Sequence, residues 1–217
     1  MNLQRVRTVA LAGVAVMLGA CKPGTSDPNA PPVITDETQY QATLDRARQL
    51  SMPYIRAFTT GDNLDSKAMA DLTEARKQFD ALIAYQPTNF APHVGSGKIS
   101  YILGDLDRAK ASLTQALALF PAKQSVDVRV TFAGVNDDLA NVMFLTGDVE
   151  SARKLSAQAL DIQPDNPNFL ATKASLLMND KKVAEARKAV IDGLNIDPDN
   201  LRLQRLKRLI DSSSPAK

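Results

Sequence analysis

Few residues in this chain could do chemistry, and their spacing limits what that chemistry can be. There is one histidine, His93, and one cysteine, Cys21. Zinc needs several His, Cys or carboxylate ligands at defined intervals, and the chain offers no such set. A nucleophilic relay needs a base flanked by a nucleophile and an orienting acid, and none assembles around His93. That residue falls at a packing position of a helix and reads as a half-buried structural histidine. Residues 95–98 spell GSGK, like the end of a phosphate-binding loop. The loop requires Gly where Pro92 stands, Ser or Thr where Ile99 stands, and a strand before it. All three conditions fail. Nothing in the spacing singles out a carboxylate pair for acid–base work. The reading is therefore of no catalytic residue, no cofactor and no metal, which leaves recognition at a surface.

The elements that would carry such a surface are helical. Ala and Leu are abundant, tryptophan is absent, and no alternating run is long enough to build a sheet. The net charge of +2 comes from 26 basic and 24 acidic side chains, and Arg5 and Arg7 are two of the basic ones, so without the first twenty residues the balance is 24 against 24. A chain that close to neutrality lacks the clustered Lys and Arg that nucleic acid requires.

The chain opens with cationic MNLQRVR and an uncharged run of 13 residues, TVALAGVAVMLGA. That run is shorter than the roughly 20 residues needed to cross a bilayer and fits the middle of a secretory signal. Leu18, Gly19, Ala20 and Cys21 follow in order, and they resemble the lipobox of bacterial lipoproteins. The resemblance implies cleavage after residue 20, acylation of Cys21 and a membrane anchor, since two or three acyl chains hold a protein stably. Lys22 in place of Asp implies, by the same resemblance, the periplasmic face of the outer membrane. In a cell with a single membrane the anchor would instead leave the protein on the outer face. Residues 21–36 carry four prolines and little to bury, so they read as an extended tether with a mean span of about 20 Å.

From Glu37 onward the pattern repeats. Pro87, Pro121, Pro164 and Pro198 stand 34, 43 and 34 residues apart. Small residues recur at fixed offsets: Gly97, Ala109 and Ala116 in residues 90–123, Ala140, Ala152 and Ala159 in 133–166, and Ala174, Ala186 and Gly193 in 167–200. Gly104 and Gly147 supply left-handed turns, and Asp105 and Asp148 supply caps for the helices that follow. This helix–turn–helix period of 34 resembles the tetratricopeptide repeat. The resemblance implies an all-α, right-handed α-solenoid. Residues 37–89 form a divergent first repeat, in which Pro53 either bends or ends the first helix. Residues 124–132 form an insert that either lengthens the next helix or makes an irregular ledge. Residues 201–217 contain an amphipathic helix suited to capping the stack, its basic face being the alternative contact for headgroups or an acidic partner.

In this family, ligands lie in the concave groove made by the first helix of each unit. Carried over position by position, the groove comprises Val94, Lys98, Tyr101 and Ile102, then Asp137, Asn141, Phe144 and Leu145, then Ala171, Ser175, Met178 and Asn179. Aromatic, Met and amide groups together suit an extended peptide or a partner helix. The competing reading is that Ile102, Phe144 and Leu145 are inter-repeat core. Val94 and Lys98 do not reproduce the Lys and Asn pair with which some relatives grip a peptide's terminal carboxylate. The implied role is a membrane-anchored, non-enzymatic adaptor for a protein or peptide partner in an envelope machine. The alternative is an accessory factor that handles wall or exported polysaccharide.

Overall fold

Why these residues become helices is visible at their starts. The computed structural model describes residues 30–212, so the signal segment, the lipobox with Cys21 and most of the tether lie outside the described residues. Asp36, Asp65, Asn89, Asp105, Ser125, Asp148 and Asn166 each accept a backbone N–H of the first turn they precede. Such caps satisfy donors that a helix start leaves orphaned. Two of these caps, and a further one at Asn200, belong to one repeated Pro-x-Asn pattern: Asn89, Asn166 and Asn200 follow Pro87, Pro164 and Pro198, and each caps the next helix.

Among the described residues there are nine helices and no strand. They are α1 (Glu37–Thr60), α2 (Ser66–Tyr85), α3 (Phe90–Ile102), α4 (Leu106–Leu119), α5 (Val126–Leu145), α6 (Val149–Ile162), α7 (Pro167–Asn179), α8 (Val183–Ile196) and α9 (Leu201–Ser212). Successive helices pair as four hairpins, each stacked on the next, with α9 packed against α7 and α8. The arrangement is the expected all-α solenoid.

The alternatives left open above resolve here. Pro53 does not end α1, which runs through it. Pro53 and Gln49, whose carbonyl loses its helical donor, are both exposed, so water can replace the missing bond. Val126, Val128 and Val130 belong to the first turns of α5, which makes 124–132 an extension of the next helix, started by the Ser125 cap. With no partner strand in reach, helix is the conformation that satisfies this backbone. Gly104 and Gly147 do adopt positive φ, at 78° and 89°. In the α7–α8 turn the same place is taken by Lys181 at φ 60°, a conformation costing roughly 1–2 kcal/mol without glycine, and α8 has no side-chain cap.

Helices approach most closely where the small residues stand. Ala109 and Ala116 are fully buried beside Leu113. A Cβ on Gly97 would come within 2.7 Å of Leu113 Cγ and 3.1 Å of its backbone nitrogen, and one on Gly193 within 2.7 Å of Leu203. A second periodic feature ties the stack on its outer side. Arg76, Arg153 and Arg187, on the second helices α2, α6 and α8, each pair with an acid at the far end of the next hairpin's first helix or of α9. The partners are Asp105 at 3.2 Å, Asp180 at 2.5 Å and Asp211. Gly97→Val should destabilise the fold by roughly 1–3 kcal/mol, because the α4 backbone behind Leu113 cannot give way as a flexible side chain would. Urea unfolding checks this, and an unchanged midpoint would show that α3 and α4 are not held at this distance.

Candidate functional site

The first helix of each hairpin faces inward, and the inward faces meet at a half-open cavity of about 430 Å³. Its wall takes Phe58 from the end of α1, Gly61 and Asp62 from the α1–α2 turn, and Tyr101 from α3. Asp137, Asp138, Asn141 and Phe144 come from α5, Asn168 and Ser175 from α7, and Arg202 and Arg205 from α9. The last two contributions close the groove. Arg202 donates to Asn141 Oδ1 at 2.7 Å and to Thr172 Oγ1 at 3.2 Å, and Arg205 donates to the carbonyl of Gly61 at 2.8 Å. Gly61, at φ 93°, lies so close that a Cβ there would be 3.1 Å from that of Leu201. The turn of the first hairpin thus meets the start of the last helix, and α9 is a wall of the site as well as the cover of the α7–α8 core through Leu203 and Ile210.

The residues expected in the groove divide into two groups. Tyr101, Asp137, Asn141, Phe144 and Ser175 line the cavity, as does Leu145. Lys98 stands just behind the wall, paired with Asp138 at 3.1 Å. Val94 packs into the α4–α5 core, Met178 against the α7–α9 core, and Ala171 is wholly buried there. Ile102 is likewise core, among α1, α2 and α3. These four face neighbouring helices, because a helix wedged between two hairpins has only a narrow strip left for a ligand. His93 is buried and its ring donates from Nε2 to the Pro87 carbonyl at 3.0 Å, the structural role its position suggested.

Phe58, Asp138, Asn168, Arg202 and Arg205 complete the wall and were not anticipated there. Phe58 packs edge-on to Tyr101, with ring centroids 5.4 Å apart. The one signal for the arginines was the basic face of 201–217, which had suggested headgroups or an acidic partner; Arg202 and Arg205 turn instead to the groove.

The electrostatics centre on Asp137. It is 5% exposed, Oδ2 receives a bond from Asn141 at 3.3 Å, and Oδ1 receives none. Burial pushes its carboxyl up to about 7, with Asp138 adding to the rise and Arg202, the nearby Thr172 hydroxyl and Lys98 opposing it. Burial also pushes the Tyr101 phenol up to about 12. The charge of Asp138 raises the Lys98 ammonium above its ordinary value. Among the described residues no group of His, Cys, Asp and Glu could hold a metal ion, and no helix is long and apolar enough to cross a membrane.

The raised carboxyl has a stability consequence. Between the ordinary value of 3.8 and about 7 the native state holds its proton more tightly than the unfolded chain does. Stability associated with Asp137 is therefore full at low pH and lost as pH rises toward 7. Asp137→Asn should raise stability at pH 8 by roughly 2–4 kcal/mol and leave it unchanged near pH 4. Thermal melts across that range test this, and a variant less stable at pH 8 would mean that Asp137 is already fully compensated.

Tetratricopeptide-repeat models match residues 93–123 and 143–210. A thermophilic tetratricopeptide-repeat protein from Thermus thermophilus, solved by crystallography, superposes with a TM-score of 0.53 at 18% identity, over 80% of this chain and 99% of that one. A second crystal structure, YrrB, is described as a tetratricopeptide-repeat protein with an unusual peptide-binding site. It matches at 12% identity over 78% of this chain and 97% of its own, with a TM-score of 0.32, too loose to inform this site. No curated protein matches the sequence. The likeness in structure bears on the fold alone; the repeats carry the class. Residues 93–123 and 143–210 match tetratricopeptide-repeat models and lie within an all-α solenoid; proteins built of such repeats are in general scaffolds that bind other proteins.

Proposed function

We propose that this protein is an envelope adaptor, tethered by acylated Cys21 and holding a segment of another protein in the cavity between its first helices. The supporting observation is the cavity wall, in which Tyr101, Phe144 and Phe58 offer apolar contact beside the amide of Asn168. An extended segment needs both, since its side chains seek pockets and its backbone seeks hydrogen bonds. Assembly of a pilus, a secretion system or the outer membrane would use such an adaptor. The lipobox resemblance and Lys22 support placement at the outer membrane, facing the periplasm.

A photoreactive residue replacing Tyr101 or Phe144 should capture a discrete protein from intact envelopes, whereas the same residue at Gln158, exposed on α6, should not. Equal capture at all three positions, or none, would overturn the groove reading. Cys21→Ala should move the protein from the membrane to the soluble fraction and abolish palmitate labelling; retention in the membrane would retire the anchor.

A second reading draws on the same wall. Asp137 and Asp138 beside Tyr101 and Phe144 form the acid and aromatic cluster that a sugar-handling site would need, which keeps the polysaccharide accessory in view. Capture of glycan in place of protein at Tyr101 would favour it.

A further inference from the structure

We infer that the cavity receives a primary ammonium group of the bound peptide, with the Asp137 carboxylate as its acceptor. This rests on the groove reading above and adds which end of a ligand enters. The described wall has charged groups of both signs, but they are not equally committed. Arg202 spends donors on Asn141 and Thr172, Arg205 on the Gly61 carbonyl, and Lys98 faces Asp138. The Thr172 hydroxyl near Asp137 has a single proton, shared between Asn141 Oδ1 at 3.4 Å and the Asn168 carbonyl at 3.2 Å. Asp137 is left with Oδ1 unpartnered on a side chain 95% removed from water, by its 5% exposure.

A buried acceptor in that state calls for a donor, and a buried carboxylate calls for a cation. In the lining Asp62, Asp137 and Asp138 stand with Arg202 and Arg205, and Lys98 behind the wall is paired with Asp138, not with Asp137. An ammonium brings three donors and a compact charge. One donor would meet Asp137, and the faces of Tyr101 and Phe144 suit the remaining charge. An acidic chain end would meet two carboxylates and no guanidinium free of other bonds, a like-charge contact that disfavours it. The volume of about 430 Å³ admits one terminal residue or one lysine side chain, not a folded element. Burial holds the Asp137 carboxyl up at about 7 even with Arg202 and Lys98 acting against the rise, and a cation bound at the carboxylate would oppose it further.

The full chain in detergent would be titrated calorimetrically at pH 7.5 with Gly-Phe-Ala amide and with its N-acetylated form. N-acetyl-Lys-Ala amide and its norleucine counterpart form the second pair, and glucosamine is included as a sugar amine. Binding by the free amino terminus, by the lysine, or by both, at least tenfold tighter than by the matching neutral peptide, is expected; which pair responds tells the chain terminus from a side chain. Asp137→Asn should erase that tenfold preference while melting as a folded protein. Equal binding of charged and neutral peptides, no binding by any peptide, a preference that survives in Asp137→Asn, or binding of glucosamine alone would each overturn the inference. Failure here with crosslinking at Tyr101 intact would sink the ammonium and leave the adaptor standing. Ammonium binding without a captured protein would do the reverse.

Discussion

Close approach of helix backbones at a handful of side-chain-poor positions is the constraint from which the rest of this molecule follows. Gly97 lies against Leu113 and Gly193 against Leu203, while Ala109, Ala116, Ala152, Ala159 and Ala186 are fully buried. At those separations the hairpins stack with one first helix always between two neighbours. That leaves each first helix a narrow inward strip, and it is those strips, from α3, α5 and α7, that form most of the cavity. Caps at the helix starts and the outer Arg–Asp pairs hold the register. Exposed pairs of this kind add little energy singly, so the packing carries the stack.

The cavity exists because the stack closes on itself. Without α9 the groove would be an open trough, of the kind that accepts long segments. With Arg202 spanning to α5 and α7 and Arg205 reaching the α1–α2 turn, the trough becomes a chamber suited to the end of a ligand or a single side chain. The same helix buries Leu203 and Ile210 against α7 and α8. Covering the apolar end of the stack and shaping the site are thus one structural act, and changes in α9 act on both.

Inside that chamber the protein keeps a carboxylate where solvation is poor. A buried acid without a matched donor lowers stability at neutral pH, and packing alone would favour an amide or an apolar residue at position 137. Stability given up in the wall of a cavity is the pattern expected of a recognition site.

Sequence alone determined the helical class, the hairpin period, the left-handed turns at Gly104 and Gly147, and the small positions, because each depends on local backbone geometry or on a spacing that recurs every 34 residues. The resemblance to the tetratricopeptide repeat, carried over position by position, placed Tyr101, Asp137, Asn141, Phe144 and Ser175 in the groove. It did not separate these from Val94, Ala171 and Met178, because how wide a strip stays uncovered depends on how closely the next hairpin packs. Tertiary structure also decided that the alternating valines after Ser125 join α5, that Arg202 and Arg205 face the groove, and that Phe58 meets Tyr101. Those contacts join residues up to 144 positions apart, and their geometry is the accumulated turn of the whole stack, which no local pattern encodes.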